Sequence, residues 1–414
     1  MVDEIRTVLI PTYLEQFSCI GSTCEDTCCV GWRVEVDHTT YKKYEKIQDN
    51  EMNTVLNESM KKNLSNPTES YYASISLKPS DNSCPLLNEE KLCSLQLKLG
   101  EDYLSDVCVA YPRITNKVNM ELEKSASPSC PEAARLILLN PEGIVFKYIE
   151  ESNEVRNVIV GHLDVNRKKN VRPEMEYFWE LRIFTMQVLQ NRTYSIADRL
   201  IILGMFCRRC DEYVLSSKTD EIPKLITYYT NIIENSSIKE SLVNTPSYVA
   251  IQIQLVTEFA HFRLTKGVQS ERYLESLDEM LNGLQYTSHS TVDEITQQYL
   301  EAYHSYYNPF MIGHEYILEN YLVNSVYKNL FPLGDKTIFD DYIKLIMHYS
   351  MIKLHLIGMA GFHKEKFGVD QVIKLIQSFS KTIEHDAVYI SGIIQLLKHN
   401  GYDSMAYMTI LINN

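Results

Sequence analysis

Positive charge is in short supply in this chain. Its 414 residues carry 40 Lys and Arg against 54 Asp and Glu, a formal net charge of −14. A surface that neutralises nucleic-acid phosphates needs clustered Lys and Arg, and no such cluster is present, so nucleic acid is not an expected partner. The acidic balance suits cationic partners instead, such as lysine side chains or a sulfonium compound. No run of eighteen apolar residues occurs, and no membrane span is expected. Met1 to Phe17 holds two acids in its first four residues and no long apolar stretch, unlike a secretory leader. The expectation is a cytoplasmic protein, whose thiols stay reduced. The eleven histidines include no H-x3-H pair, which argues against a histidine metal site. No G-x-G-x-G loop follows a strand pattern, so the familiar glycine cradle for a nucleotide-like cofactor is missing.

Cysteine is also scarce over most of the chain, because residues 134–414 hold only Cys207 and Cys210. The other eight crowd the first third: Cys19-x4-Cys24-x3-Cys28-Cys29, then Cys84, Cys93, Cys108 and Cys130. Thiolates are soft ligands that suit zinc or iron–sulfur clusters. A metal-organised unit is therefore preferred over disulfides or unliganded core thiols. In extended chain the adjacent Cys28 and Cys29 point to opposite faces. One can face a metal while its neighbour enters the core or a second site. Three thiolates from the first loop plus one later cysteine make one site; eight thiolates make two. The spacing leaves both open. Cys207-Arg-Arg-Cys210 lies at i and i+3 within a helical pattern, which suggests core packing rather than a dithiol.

Proline and glycine punctuate residues 1–133, where Trp32 to Asp37 alternates like a short strand and Tyr41 to Tyr44 reads as helix. Residues 57–70 read as polar loop. A short strand is expected at Gly143 to Tyr148. From there the apolar spacing becomes helical, over 174–191, 195–213, 222–235, 247–265, 271–285, 291–307, 315–330, 339–359, 369–384 and 387–399. The expected fold is mainly α. A small irregular cysteine-rich N-terminal domain with short strands (1–133) precedes a large α-helical domain (134–414).

Several blocks resemble a known family. Pro11-x-Tyr13-x3-Phe17-x-Cys19-x4-Cys24-Glu-Asp-Thr-Cys28-Cys29-x-Gly31-Trp32 is one. Cys84-Pro-Leu-Leu, Leu92-Cys93-Ser-Leu, Gly100 to Cys108 with Tyr111-Pro112-Arg113, and Cys130-Pro131 follow. Together with Leu318-Glu-Asn-Tyr-Leu-Val-Asn324 and Leu330-Phe331-Pro332, they are similar to the flagellin lysine-N-methylases (FliB-like). The N-terminal part alone also resembles small domains described as zinc- or iron-chelating. The family resemblance implies methyl transfer from S-adenosylmethionine (SAM) to lysine ε-amines of flagellin. It further implies an iron–sulfur cluster, of the 4Fe–4S type, on ligands drawn from the eight-cysteine pool, with zinc as the alternative metal. The radical-SAM pattern C-x3-C-x2-C is not met: Cys24-x3-Cys28 fits its first half, but Gly31 stands where the third cysteine belongs. Without a glycine loop, SAM itself is a candidate ligand of an open iron site.

Catalytic residues are not identifiable from sequence. Arg113 is a candidate partner for a cluster sulfur or a SAM carboxylate, with a surface salt bridge as the plainer role. Asp37 is a candidate for a ribose hydroxyl, with a helix N-cap ahead of Thr39 and Thr40 as the plainer role. Glu25 and Asp26 can meet a substrate ammonium or simply be solvated; Trp32 is expected to pack, and His348 and His355, seven apart on one helix face, are expected in the core or on the surface rather than at a metal. The 28 tyrosines can line a channel that holds lysine and stacks adenine. The competing class is a non-catalytic zinc- or iron-binding interaction module on a helical scaffold.

Overall fold

A computed structural model describes residues 5–165, 172–243, 248–264, 267–268, 270–287, 289–334 and 336–413. The fold is mainly α, and every helical window read from the sequence holds a helix. The end residues 247 and 265 of one window lie outside the described residues.

The described strands are β1 (Ile5–Pro11), β2 (Val34–Val36), β3 (Met60–Lys62), β4 (Ala73–Ile75), β5 (Arg113–Val118), β6 (Glu121–Ala126), β7 (Phe146–Ser152) and β8 (Ile159–Leu163). Five form one sheet in the order β7-β1-β6-β5-β8. β1 runs antiparallel to β7, with Ile5 opposite Ser152 and Pro11 opposite Phe146, and parallel to β6. β5 and β6 are a hairpin closed by Asn119-Met120. Asn119 takes φ 54°, a left-handed conformation that its short amide side chain tolerates. The sheet takes strands from both sides of residue 133, so the 133/134 boundary passes through it. The expected strand at 143–148 lies slightly later, and the 57–70 stretch contains the end of the Asn50–Ser59 helix and β3.

β2, β4 and β3 make a second, three-stranded sheet. Its alternation is the simple kind: Val34 and Val36 are buried while Glu35 is half-buried. These valines pack with Tyr44, Leu56, Leu95, Leu104 and Cys84 in a core separate from the main one.

The main core is helical, and Ile338–His363 runs through its middle. This helix is long and apolar enough to cross a membrane by composition, a property the search for unbroken apolar runs misses. But 89% of that stretch is buried inside the protein, as in a core helix. Glu271–Gly283 crosses it at very close range. A Cβ added at Gly283 would lie 1.8 Å from the Gly358 carbonyl oxygen, so only glycine permits the approach.

The Leu318–Asn324 segment welds the layers together. Glu319 accepts from Arg199 at 2.8 Å and from Arg192 at 2.9 Å. Asn320 Nδ2 donates to the carbonyls of Leu138 and Asn140. Asn324 accepts from the Tyr13 hydroxyl at 2.6 Å and donates to Ala126 O. Glu319 and Asn324 are buried and matched, whereas Asn320 uses its Nδ2 twice and leaves its buried Oδ1 without a partner among the described residues.

Candidate metal centre and adjoining cleft

The cysteine loop begins and ends at glycines with positive φ, Gly21 at 59° and Gly31 at 82°. Such turns are cheap only for glycine, and they let the intervening chain fold back sharply. Its second half then pairs with the segment before Cys84. Val30 bridges Ser83, Gly31 N donates to Asn82 O, and Cys84 N donates to Cys29 O at 2.7 Å. A further bridge between Leu87 and Cys93 brings the next thiol in. Cys93 stands at the N-terminus of the Ser94–Leu99 helix, Cys130 at that of Pro131–Leu138, and Cys108 lies inside Asp106–Ala110.

These elements gather the thiols around Cys28. Cys28 is itself exposed; its thiol lies against the Cys29 side chain and near enough to Cys24, Cys93, Cys108 and Cys130 for their charges to interact. Cys84 interacts in the same way with Cys93 and Cys108. Cys19 is exposed and stands outside this network among the described residues. All ten cysteines are free. Among the described residues, no three His, Cys, Asp or Glu side chains form a ready metal cage. The thiols converge without closing.

Their electrostatics follow from burial. The Cys29 contact and then burial push the Cys28 thiol well above its ordinary range. Burial pushes Cys84 up to about 12, and Cys108 and Cys130 up to about 11. Backbone groups of Leu95 and Gln96 at Cys93, and of Glu132 and Ala133 at Cys130, act in the opposite direction. Here the helix N-termini favour negative sulfur. A thiophilic cation would reverse the penalty, and its binding would release protons. In donor chemistry the set fits such a centre.

The loop is docked onto the helical body. Asp26 accepts from Lys381 at 2.7 Å and from the fully buried Gln377 at 2.7 Å, while Glu25 pairs with Arg135. Gln377 also donates to Ser129 O, next to Cys130. Beside this junction lies a cleft of about 770 Å³. Glu25, Asp26, Asp81 and Glu271 line it together with Lys78, Lys91, Arg263, Arg272 and Lys381. It is a groove of mixed charge with apolar stretches from Val30, Leu87 and Val268, suited to a polypeptide segment with charged side chains. Sequence reading missed Gln377, Lys381, Arg263 and Arg272, because nothing in linear order ties them to cysteines more than 130 residues away.

The remaining candidates occupy defined places. Asp37 caps the His38–Tyr44 helix, accepting from Thr40 N at 2.8 Å. Its other oxygen takes Asp106 N at 3.1 Å and Arg156 at 3.3 Å. Arg113 lies on β5 with its guanidinium 5.0 Å above the Phe17 ring. Trp32 packs on Tyr111 and donates to Cys28 O. His348 and His355 are buried, as are Cys207 and Cys210. Among the described residues no tyrosine lines the cleft; Tyr303, Tyr307 and Tyr349 line a different pocket.

Residues 182–411, more than half of the chain, match the family model of the FliB lysine N-methylase C-terminal domain. Over 398 residues the chain is 24% identical to the lysine-N-methylase of Salmonella typhimurium, covering 92% of each chain. The lysine-N-methylase of Salmonella choleraesuis matches to the same extent. The flagellar biosynthetic protein FliU of Salmonella muenchen is 36% identical over 141 residues, which are 33% of this chain and 80% of that protein. No solved structure matches.

Proposed function

From the premise that the chain belongs to the FliB lysine N-methylase family and is a lysine N-methyltransferase, we propose that it moves methyl groups from SAM to lysine ε-amines of flagellin. The observation that carries the substrate is the kinship with relatives named as lysine-N-methylases and as a flagellar biosynthetic protein. We place the reaction in the cytoplasm, before the subunit is exported.

The region around Cys19 to Cys130 acts in this reading as a small cysteine-rich, metal-organised domain. Cys28, with partners from Cys24, Cys29, Cys84, Cys93, Cys108 and Cys130, would hold a 4Fe–4S cluster, or zinc in the simpler case. Such a centre supplies a rigid cross-link between loops and an electrophilic point beside the cleft. Support comes from the convergence on Cys28 and from the position of the cleft against the same loop.

The chain's own residues have a definite task. A free lysine must lose a proton before it attacks a sulfonium methyl, at a cost of about 4–5 kcal/mol at neutral pH. Asp26 and Glu25 draw lysine side chains toward the cleft, yet an unscreened carboxylate would hold the amine protonated. Both acids are already paired, Asp26 with Lys381 and Glu25 with Arg135, which limits that opposing effect. Lys78, Lys91 and Arg272 add positive potential that favours the neutral amine.

The test combines purified full-length protein, flagellin and labelled SAM, with mass spectrometry of the flagellin. Methyl-lysine is the expected product; its absence under anaerobic conditions with iron and sulfide present would sink the reading. Iron, zinc and sulfide content of anaerobically purified protein decides between cluster and zinc.

A further inference from the structure

A second cavity, of about 380 Å³, lies in the helical body, away from the cysteine loop in its lining. Its walls come from the start of Ile196–Leu215, the π-helical turn Tyr303–Tyr307 and the middle of Ile338–His363. A π turn widens a helix by about one residue per turn and is frequent at functional sites; a second one lies at Ser380–Glu384.

Its polar groups are mismatched with the protein around them. Lys353 is buried, and its Nζ donates to Ile412 O at 2.8 Å, leaving two N–H donors of the ammonium form unused. Tyr307 and Tyr349 are 5% and 2% exposed, and neither hydroxyl has a hydrogen-bond partner among the described residues. Buried hydroxyls and ammonium groups are seldom left this way. Facing them is Glu315, held by Ile196 N and Arg199 at 3.2 Å each, with 38% of its side chain still exposed. The lining of the cavity thus combines hydrogen-bond donors, a carboxylate and aromatic rings.

We propose that this cavity binds the zwitterionic head of an α-amino acid, its carboxylate on Lys353 and the Tyr307 and Tyr349 hydroxyls, its ammonium on Glu315. Burial holds the Lys353 amine down at about 7, and the charge of Glu315 acts against that. An incoming carboxylate favours the ammonium form still further and strengthens its own binding site. A plain anion is disfavoured by Glu315 and a plain amine by Lys353, so the pairing of charges sets the specificity. Two sources carry this head: a free amino acid, or SAM, whose methionine part ends in it. The second source rests on the methylase reading above; the pocket itself does not.

Calorimetric titration of the full chain with L-methionine, SAM and 3-(methylthio)propanoate tests the assignment. The wild type is expected to bind methionine or SAM, and to bind the amine-free acid about tenfold more weakly or worse. Lys353→Met should weaken the amino-acid ligand by about tenfold or more, and Tyr349→Phe by about threefold to tenfold. Circular dichroism and thermal melting verify that each variant is folded, and Tyr349→Phe remains informative if Lys353→Met is not. Binding of SAM without methionine assigns the head to the methyl donor; binding of methionine assigns it to free amino acids. No binding of either to the wild type, or binding unchanged in both variants, overturns the proposal. Methylation of flagellin measured in parallel separates the two ideas. Variant-sensitive binding without methyl transfer removes the methylase reading alone, and transfer with variant-insensitive binding removes the pocket alone.

Discussion

The helical body and the cysteine region are organised by opposite means. In the body, buried charges are closed into pairs. Arg182 meets Glu123 at 2.5 Å with both side chains at most 3% exposed, and Arg199 meets Glu319 at 2.8 Å with each at 2%. Lys328 meets Glu384 at 2.6 Å. In the cysteine region the core is small, and its thiols lie near Cys28 without closing: burial keeps Cys84 and Cys108 neutral, and the Cys29 contact does so first for Cys28. The body closes its buried Arg182, Arg199 and Lys328 charges internally, with Lys353 as the exception. The cysteine region leaves its strongest capacity, soft sulfur donation, for something else to use.

The sharpest way to break this comparison is to remove the hub thiol. Cys28→Ser should lower flagellin methylation by about a hundredfold or more, together with bound metal. Cys19→Ser, outside the network, should leave both within about twofold. Metal analysis and methyl incorporation measure the pair. Equal losses in both variants would mean that Cys28 is not a centre of anything.

The body should break by a different rule. Arg182→Met strands a buried carboxylate and is expected to cost about 3–5 kcal/mol of stability in urea unfolding. Arg182→Met combined with Glu123→Leu should recover most of that loss, because no uncompensated charge remains. A double variant as unstable as the single one would show that the pair acts through something besides charge.

Acid should also separate the two regions. Burial lowers His348 and His355 to about 4, so both are neutral in the folded protein near pH 6. The unfolded chain takes up these protons first, near 6.5. Their contribution to stability is therefore complete above pH 6.5 and is lost as pH falls toward 4, by about 3 kcal/mol for each histidine. Glu384 adds a lower window. Burial pushes its carboxyl up, but the Lys328 charge and the bonds to Lys328 and Tyr321 outweigh burial and hold it at about 2. That contribution is present above about 4.5 and fades toward pH 2. Melting curves of wild type and His348→Phe between pH 7 and 4 measure the first window. The variant should show a smaller decline than the wild type, while His355 and His385, also lowered by burial, keep the rest of it.

The same contrast decides what was legible in the sequence. Helices such as Ile338–His363 announce themselves, because burial on every side leaves a long apolar pattern. The cysteine pool was equally plain from spacing alone. The five-stranded sheet was not: β1 pairs with β7, some 140 residues later, and only that pairing makes it a strand. Asn50–Ser59 and β3 were hidden for a similar reason, since the polar exposed face of each dominates its local composition. Gln377 and Lys381 were invisible as site residues. They sit on amphipathic helical sequence, and their partner Asp26 lies at the opposite end of the chain.

The smallest expected effect concerns Asp37, where two roles predict different readouts. As the N-cap of His38–Tyr44 its Oδ1 receives Thr40 N, and its Oδ2 is shared by Asp106 N and Arg156. Asp37 is also only 5% exposed, so a ribose hydroxyl has little access to either oxygen. Asp37→Asn keeps one acceptor for the cap but turns its amide N–H toward Asp106 N and Arg156, and should cost about 1–2 kcal/mol in urea unfolding, with the KM for SAM unchanged. Asp37→Ala loses the cap and should cost about 1–2 kcal/mol. A cofactor-binding carboxylate would behave the other way round: stability nearly intact, and a KM for SAM raised by about tenfold in both variants.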